Sequence, residues 1–590
     1  MLGAIYFLPQ ARYLRQPCAP HVLLEENPDE TFLAVLVSRA AGEHPTQPDP
    51  YQAAPRAEPT IAFYTIQRFP LLALGLIARA LGLPVTVLLW AGSLVFPVIL
   101  AFETCCIAWW CGIRRWSTAA LAVVLAMLAL DPLHWFAQAK YTALALAGSA
   151  PDYLLMLPYS RRLQPQFVAI FHLLAILLSL LLLRAGTRAS RLACAAGAGI
   201  CFGISFYSYF YSWSILAGWF ALGAIFVRLW HRGRERLWLS AAALGLAISI
   251  PYWIWCARHF SELSLSTGSA RTHRLGTFDL PEVLFYFGVA GLCLLLLRKD
   301  TARRELLWVP LVLVAVPALG AIQNLITGIY IQPYHYLHYF GRPAANLAVV
   351  AVLASQSHRF AVLRGRAADL AAWTLIALAI FSARVVQMHR YGTASVPAAR
   401  ICRAMPALEF LERRGVAGAA VFTPDPDLRE AIPLYTDAVP YYSRFSWMTG
   451  GAATRDAVLW RIASSHALAG QDRHAFLRLV QSRPWDLFQV HKQRTLDPQA
   501  EPEMAGMERV LLEQFDSILA SNRTPVFEGL RYALLPADRP LESTRLLRYF
   551  TCRQVWSDAA YSVFELERRV ESPADGKQQR HAGGSRPAVD

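Results

Sequence analysis

Six residues near the N-terminus, Glu25-Glu26-Asn27-Pro28-Asp29-Glu30, carry four carboxylates. A carboxylate acts as a general base when it is held beside a reacting carbon, in surroundings whose low dielectric tunes its proton affinity. Glu26, Asp29 and Glu30 are the candidate catalytic residues on this ground. Asp29 and Glu30 also open a predicted short helix over 31–41 (TFLAVLVSRAA), where acids suit the positive end of the helix dipole. The same residues therefore read either as a proton acceptor or as a capped helix start with a solvated loop.

Cations form a second set. A phosphate leaving group needs Arg, Lys or His to offset the charge that builds on it. Arg161-Arg162, Arg258-His259, Arg271/His273/Arg274 and His335/His338/Arg342 stand in connections between apolar windows. Taken singly, each fits a lipid headgroup contact or a snorkelling side chain. Together they fit an anionic substrate. The stretch from Gln323-Asn324 through Gln332-Pro333-Tyr334-His335-Tyr336-Leu337-His338-Tyr339 concentrates amides and imidazoles at a membrane boundary, which is costly unless they serve a cavity. Arg161, Arg162, Gln166, Gln332, His335, His338 and Arg342 are thus the candidate substrate-binding residues. The aromatic run Phe206-Tyr207-Ser208-Tyr209-Phe210-Tyr211-Ser212-Trp213 reads as an interfacial belt at a tight hairpin.

The elements that must position these groups follow from composition. Of 590 residues, 55% are hydrophobic and only 16% charged, and the mean hydropathy is +0.33. The apolar residues form runs long enough to cross a hydrocarbon core, near 84–110, 116–131, 165–183, 190–206, 209–228, 237–256, 281–297, 307–322, 341–357 and 369–386. The fold class is a polytopic α-helical membrane protein of about 10–11 spanning helices with a C-terminal α/β domain. The net charge of +15 is no sign of nucleic acid, because the arginines cluster at the ends of apolar runs. Arg114-Arg115, Arg184/Arg188/Arg191, Arg228/Arg232/Arg234/Arg236, Arg298/Lys299/Arg303/Arg304 and Arg364/Arg366 fall in every second connection, which the positive-inside rule makes cytoplasmic. The acidic loop, the connections 132–164, 257–280 and 323–340, and everything after about 387 are then outside. The expected location is the cytoplasmic (inner) membrane, multi-pass, with an extracytoplasmic C-terminal domain.

The organisation read from these patterns has five parts. Residues 1–17 are a short apolar segment that could be the remnant of a first spanning helix. Residues 18–83 form the first outer loop, with the acidic motif and amphipathic helices. Residues 84–387 are the transmembrane helical domain. Residues 388–568 alternate helix-like runs (407–414, 452–469, 474–482, 507–520) with β-type runs (419–423, 486–490, 531–535, 561–566), an outer α/β domain. Residues 569–590 are polar and rich in Gly and Pro, an expected disordered tail. Seven of the ten cysteines lie inside apolar windows as small hydrophobes, without metal-ligand spacing. Cys402 and Cys552 flank the outer domain and could pair in an oxidising compartment. No nucleotide-binding loop, zinc-protease helix or nucleophile elbow stands where its structure would be needed.

With these residues in view, the chain resembles the GT-C glycosyltransferases, polytopic enzymes that use polyprenyl-phosphate sugars. The resemblance rests on Asn27-Pro28-Asp29-Glu30-Thr31-Phe32-Leu33-Ala34, on Ser38-Arg39-Ala40-Ala41-Gly42-Glu43-His44-Pro45, on Arg161-Arg162-Leu163-Gln164-Pro165-Gln166 and on the stretch from Gln332 to His335. It covers roughly residues 20 to 550 and implies a GT-C-like fold. It further implies that Asp29 or Glu30 is the base and that an outer Arg or His holds the donor phosphate. The function so implied is inverting transfer of a sugar from a polyprenyl-phosphate donor to a lipid, glycan or protein acceptor outside the membrane. Membrane lipids are the other partners, nucleic acid is not one, and neither a cofactor nor a divalent metal is demanded, because the donor already supplies its leaving group. Two alternatives remain at this point. A transporter or flippase of lipid-linked sugars would need ionisable residues along a path, yet Glu103 and His172 stand nearly alone in the apolar windows. A non-catalytic envelope-assembly protein would use the outer domain instead.

Overall fold

The computed structural model describes residues 2–13, 18, 21–24, 29–43, 51, 68–150, 157–159, 161–258, 270–271, 280–299, 304–330, 333–356, 365–446, 455–484, 500–521, 527 and 529–569. The helices of the first two-thirds of the chain are α1 (Leu2–Tyr13), α2 (Asp29–Ala41), α3 (Arg68–Leu81), α4 (Val85–Trp110), α5 (Trp116–Leu128), α6 (Trp135–Leu146), α7 (Val168–Arg184), α8 (Arg188–Phe206), α9 (Phe210–Trp230), α10 (Glu235–Ile248), α11 (Ile250–Arg258), α12 (Leu280–Lys299), α13 (Arg304–Ala321), α14 (Arg342–Gln356) and α15 (Gly365–Arg413). Among the described residues, seven helices are long and apolar enough to cross a membrane, and up to nine if two bent pairs each count as one span. The chain is a multi-pass membrane protein.

All ten apolar windows are helical, but two of them break. The first, α5, stops at Leu128 and the chain turns by 71° into residues 132–146, because Asp131-Pro132 ends one helix and starts the next. The other bends by 42° between α10 and α11, next to Pro251. The last window continues without a break as α15, whose 49 residues make a rod about 70 Å long, more than twice the hydrocarbon thickness. It therefore leaves the membrane region as a helix and becomes part of the C-terminal domain.

That domain adds β1 (Ala420–Phe422), α16 (Pro426–Tyr435), β2 (Val439–Pro440), α17 (Arg455–Leu468), α18 (Arg473–Gln481), α19 (Ala500–Ala520), β3 (Leu530–Pro536), β4 (Phe550–Ser557) and β5 (Tyr561–Arg568). The strands form one mixed sheet in the order β2-β1-β3-β5-β4, with the first three parallel and the last two antiparallel. The sequence runs at 419–423, 531–535 and 561–566 are strands as expected, and the run at 486–490 lies outside the described residues. β2, β4 and α16 were not anticipated: β2 is only two residues long, and the alternation of β4 (FTCRQVWS) breaks after four residues, so neither carries a sustained period-2 signal.

The segment that carries α2 and α3 is fastened between the bundle and this domain. α2 ends at Gly42, whose φ of 84° suits a residue without a Cβ, and Glu43 N–H returns to the Ser38 carbonyl at 3.1 Å. Glu43 then accepts from Ser38 Oγ at 2.7 Å and from the first amide of α4, Val85, at 3.0 Å. Gly75 brings α3 so close to α2 that an added Cβ would meet Ala40 at 2.7 Å. On its other side α2 meets the C-terminal domain through Arg39–Asp437 at 3.4 Å and the stacked rings of Phe32 and Phe445.

A disulfide closes this arrangement, but not the one the sequence led us to expect. Cys402 pairs with Cys18, and Cys552 is a free thiol on β4. The reason is placement: Cys402 lies on the α15 rod beside the N-terminal segment, with Cα atoms 5.7 Å apart, whereas Cys552 belongs to the edge strand of the sheet. Linking residues 384 positions apart removes freedom from the unfolded chain and is worth about 2–4 kcal/mol. Alkylation of the denatured, unreduced protein should therefore label eight of the ten cysteines. Cys552→Ser should keep the cross-link and Cys18→Ser should lose it; the reverse pattern on non-reducing peptide mapping would contradict the pairing.

Candidate functional site

Two prolines shape the backbone at the site. Pro165 has no amide hydrogen, so the carbonyl of Arg161 is taken instead by Gln166 N–H at 3.0 Å, five residues on. The result is a π turn over Arg162–Phe167 ahead of α7. Further along, Pro343 likewise offers no amide to the carbonyl of Tyr339, and a second π turn, Tyr336–Gly341, precedes α14. Each wide turn rotates its polar residues inward, and the two face the start of α2.

The first turn clamps the acidic loop. Arg161 Nη2 is 3.0 Å from Asp29 Oδ2. The neighbouring amide N–H of Arg162 donates to Glu30 Oε1 at 2.9 Å, and the Arg162 side chain donates to the Leu24 carbonyl at 2.5 Å. Both ends of the segment that carries Glu25 and Glu26 are therefore held by one dipeptide. Glu30 and Arg162 are buried at 2% and 1% exposure, whereas the Asp29 side chain keeps 33%. Of the two described acids, Asp29 is the one a substrate can reach. Gln166 donates to the Tyr159 carbonyl at 2.6 Å and so helps fix the same turn.

The second turn and an aromatic hairpin pack against this clamp. His335 Nδ1 meets the hydroxyl of Tyr209, and its ring lies flat on Tyr211 at 4.5 Å. The run 206–213, read from sequence as an interfacial belt, thus turns two of its rings inward onto the histidine. Burial, reinforced by Arg161, holds the His335 imidazole well below the usual histidine range, so the ring is neutral. Burial also works against the charge on Arg161, but Tyr339, Asp29, Tyr209 and Tyr334 outweigh it and hold the guanidinium above its ordinary range. His338 feels Arg342, His335, Arg161 and Arg390, and its Nδ1 contacts Arg342 Nη1. Among the described residues, the buried atoms Tyr339 Oη, Arg161 Nε, Gln166 Oε1 and His338 Nε2 have no hydrogen-bond partner. Buried polar atoms are nearly always satisfied, so unpartnered atoms on Tyr339, Arg161 and His338, which lie close enough to act on one another electrostatically, mark a place where a polar group fits.

Arg342 links this cluster to a second one that sequence reasoning missed. Its Nε lies 3.2 Å from Asp131 Oδ2 and its Nη2 3.5 Å from Glu282 Oε1. Tyr286 donates to the same Asp131 oxygen at 3.0 Å, and His134 Nδ1 meets Asp131 Oδ1 at 2.8 Å. Ligand atoms of Asp131, His134 and Glu282 all lie within 4.8 Å of one another, a donor set of the kind that holds a divalent cation; here Arg342 and Tyr286 share its carboxylate oxygens. The signal in the sequence was an acid at the end of one apolar window and another in the first turn of a much later one, both too isolated to link without the fold. Arg390, buried on α15, was missed for the same reason.

The structure thus brings Asp29, Arg161, His335, His338 and Arg342 into one cluster, with Glu30, Arg162 and Gln166 supporting the Arg161 side of it. Glu26 and Gln332 lie outside the described residues. So do His259, His273 and Arg274, while Arg258 is exposed at the end of α11. The other half of the amide-rich stretch, Gln323–Gly328, forms a separate exposed turn in which Thr327 Oγ1 donates to Gln323 at 2.7 Å.

No protein-family model matches the sequence, and no curated protein sequence matches it. Solved structures similar to the chain include two of one protein. One is ArnT from Cupriavidus metallidurans bound to undecaprenyl phosphate, with a TM-score of 0.48 at 12% identity over 95% of this chain and 96% of that one. The other is ArnT of the same organism in the apo state, with a TM-score of 0.46 at 11% identity over the same shares. Similarity of this degree carries no argument by itself, and the chemistry of the site rests on its own residues.

Proposed function

We propose that the protein is an integral membrane glycosyltransferase that moves a sugar from a polyprenyl-phosphate donor to a hydroxyl or amine of a lipid, glycan or protein acceptor, with inversion. The observation that carries this reading is the convergence of one reachable carboxylate, Asp29, with Arg161 and the unpartnered buried groups Tyr339 Oη and His338 Nε2. Arginines 342 and 390 stand behind them. A phosphate monoester anion would satisfy these groups and the excess positive charge together.

The step balances as follows. The acceptor heteroatom attacks the anomeric carbon, and its proton passes to Asp29. The bond from that carbon to the phosphate oxygen breaks, and the electron pair leaves with the polyprenyl phosphate. The charge gathering there faces Arg161, with Arg342 and Arg390 close behind, while Tyr339 and His338 donate hydrogen bonds. Glu30 acts by position: its carboxylate holds the Arg162 amide and so sets Arg161 against Asp29. The Cys18–Cys402 disulfide supports an outward-facing site, since such bonds persist in oxidising compartments, and the arginine clusters supply the cytoplasmic side.

Purified protein supplied with a radiolabelled lipid-linked sugar should release free carrier lipid as product forms. Asp29→Asn should lower turnover by about 10²–10⁴-fold with insertion and the disulfide intact. Glu30→Gln, which keeps an acceptor oxygen for the Arg162 amide, should retain most of it. Undiminished turnover in Asp29→Asn would reject the assignment of the base.

Tyr339→Phe removes one hydrogen bond to a charged group, worth about 1.5–3 kcal/mol, and should slow transfer roughly 10- to 100-fold. Equal rates for Tyr339→Phe and wild type would mean that the phosphate binds elsewhere.

A further inference from the structure

A second cavity lies at the far end of the bundle from Asp29. α4 begins beside Glu43 of the outer loop and ends 26 residues later at Trp110, about 39 Å away. Just beyond that end, between the α4–α5 turn, α13, α14 and α15, is a slot of about 490 Å³. Ile113, Leu121, Leu307, Val350, Leu353 and Leu375 supply its apolar wall. Leu353 and Leu375 are themselves exposed, so the slot opens sideways where the bilayer lies.

The rim is cationic. Arg115 is already engaged, its Nη2 3.0 Å from the Gly365 carbonyl and 3.2 Å from Asp369 Oδ2, and Ser117 holds the other oxygen of that carboxylate. Arg114 lines the same slot, is exposed, and makes no ion pair or hydrogen bond among the described residues. Among the described residues, no acidic side chain lines the slot to answer it. Around it stand the tryptophans of a membrane interface: Trp109 against Trp116 at 5.4 Å, and Trp110 beneath the Arg184 guanidinium at 4.0 Å.

An apolar slot at interface depth, open to the acyl region and carrying an unmatched guanidinium at its rim, has the chemistry of an amphiphile with one negative charge. We propose that this slot binds an anionic phospholipid, with an acyl chain along Leu121, Leu353 and Leu375 and the phosphate on Arg114. The lipid would join the start of α15 to α5 and α14 at the end of the bundle opposite the candidate active site. The inference stands apart from the glycosyltransferase reading, since it uses none of the same residues.

Native mass spectrometry of the intact protein, with phosphatidylglycerol and phosphatidylcholine of matched chains at equal concentration, tests it. The bound ratio should favour phosphatidylglycerol about fivefold, the preference one arginine gives at a membrane surface. Arg114→Ala should bring the ratio close to parity. Ala371→Trp should fill the slot and abolish the preference as well, and Arg228→Ala, an exposed arginine elsewhere, should leave it unchanged. Equal binding of the two lipids to wild type, a preference surviving in Arg114→Ala, or an equal loss in Arg228→Ala would overturn the proposal.

Discussion

The contact on which the rest depends is the clamp that Arg161-Arg162 places on the acidic loop. An aspartate that begins a short helix in a polar loop has no fixed direction by itself. Here Arg161 pairs with Asp29, the next amide holds Glu30, and the next side chain holds Leu24. One dipeptide thus fixes both the reachable carboxylate and the chain on either side of it. The clamp in turn depends on Pro165, whose missing amide opens the π turn and frees the segment to face α2.

From that point the architecture reads as support. Gly42 ends α2, Gly75 lets α3 press against it, and Glu43 ties it to the first spanning helix. α15 runs from the arginine-bearing end of the bundle to the C-terminal sheet, and Cys402 on it holds Cys18. The C-terminal domain closes over α2 through Asp437 and Phe445. The site is therefore assembled from parts more than three hundred residues apart, and rigid elements rather than loops set its geometry.

Much of this was legible in the sequence, for reasons that differ by element. The spanning helices were plain because a hydrocarbon core demands long apolar runs; nine of the ten windows are such helices or bent pairs among the described residues, fewer than the 10–11 expected, since α14 has only 15 described residues. Arg161, His335 and His338 stood out because charge and imidazole at a membrane boundary are costly. Their convergence on Asp29 was not legible, since no periodicity relates residue 29 to residues 161 and 339. Prolines 165 and 343 were visible, but a proline says that a helix is disturbed and not that it widens into a π turn. Tyr209 and Tyr211 were hidden by chemistry: a tyrosine at an interface satisfies the belt reading equally well whether its hydroxyl faces water or a buried histidine. The cysteine pairing was missed because partners cannot be chosen from spacing, only from Cα distance.

The most direct test is a structure of the protein with a polyprenyl phosphate bound. The phosphate oxygens should lie within about 3 Å of Arg161 Nε and Tyr339 Oη, with Asp29 facing the carbon-bearing side. A phosphate bound away from the two π turns, with Arg161 still paired to Asp29 alone, would contradict the account.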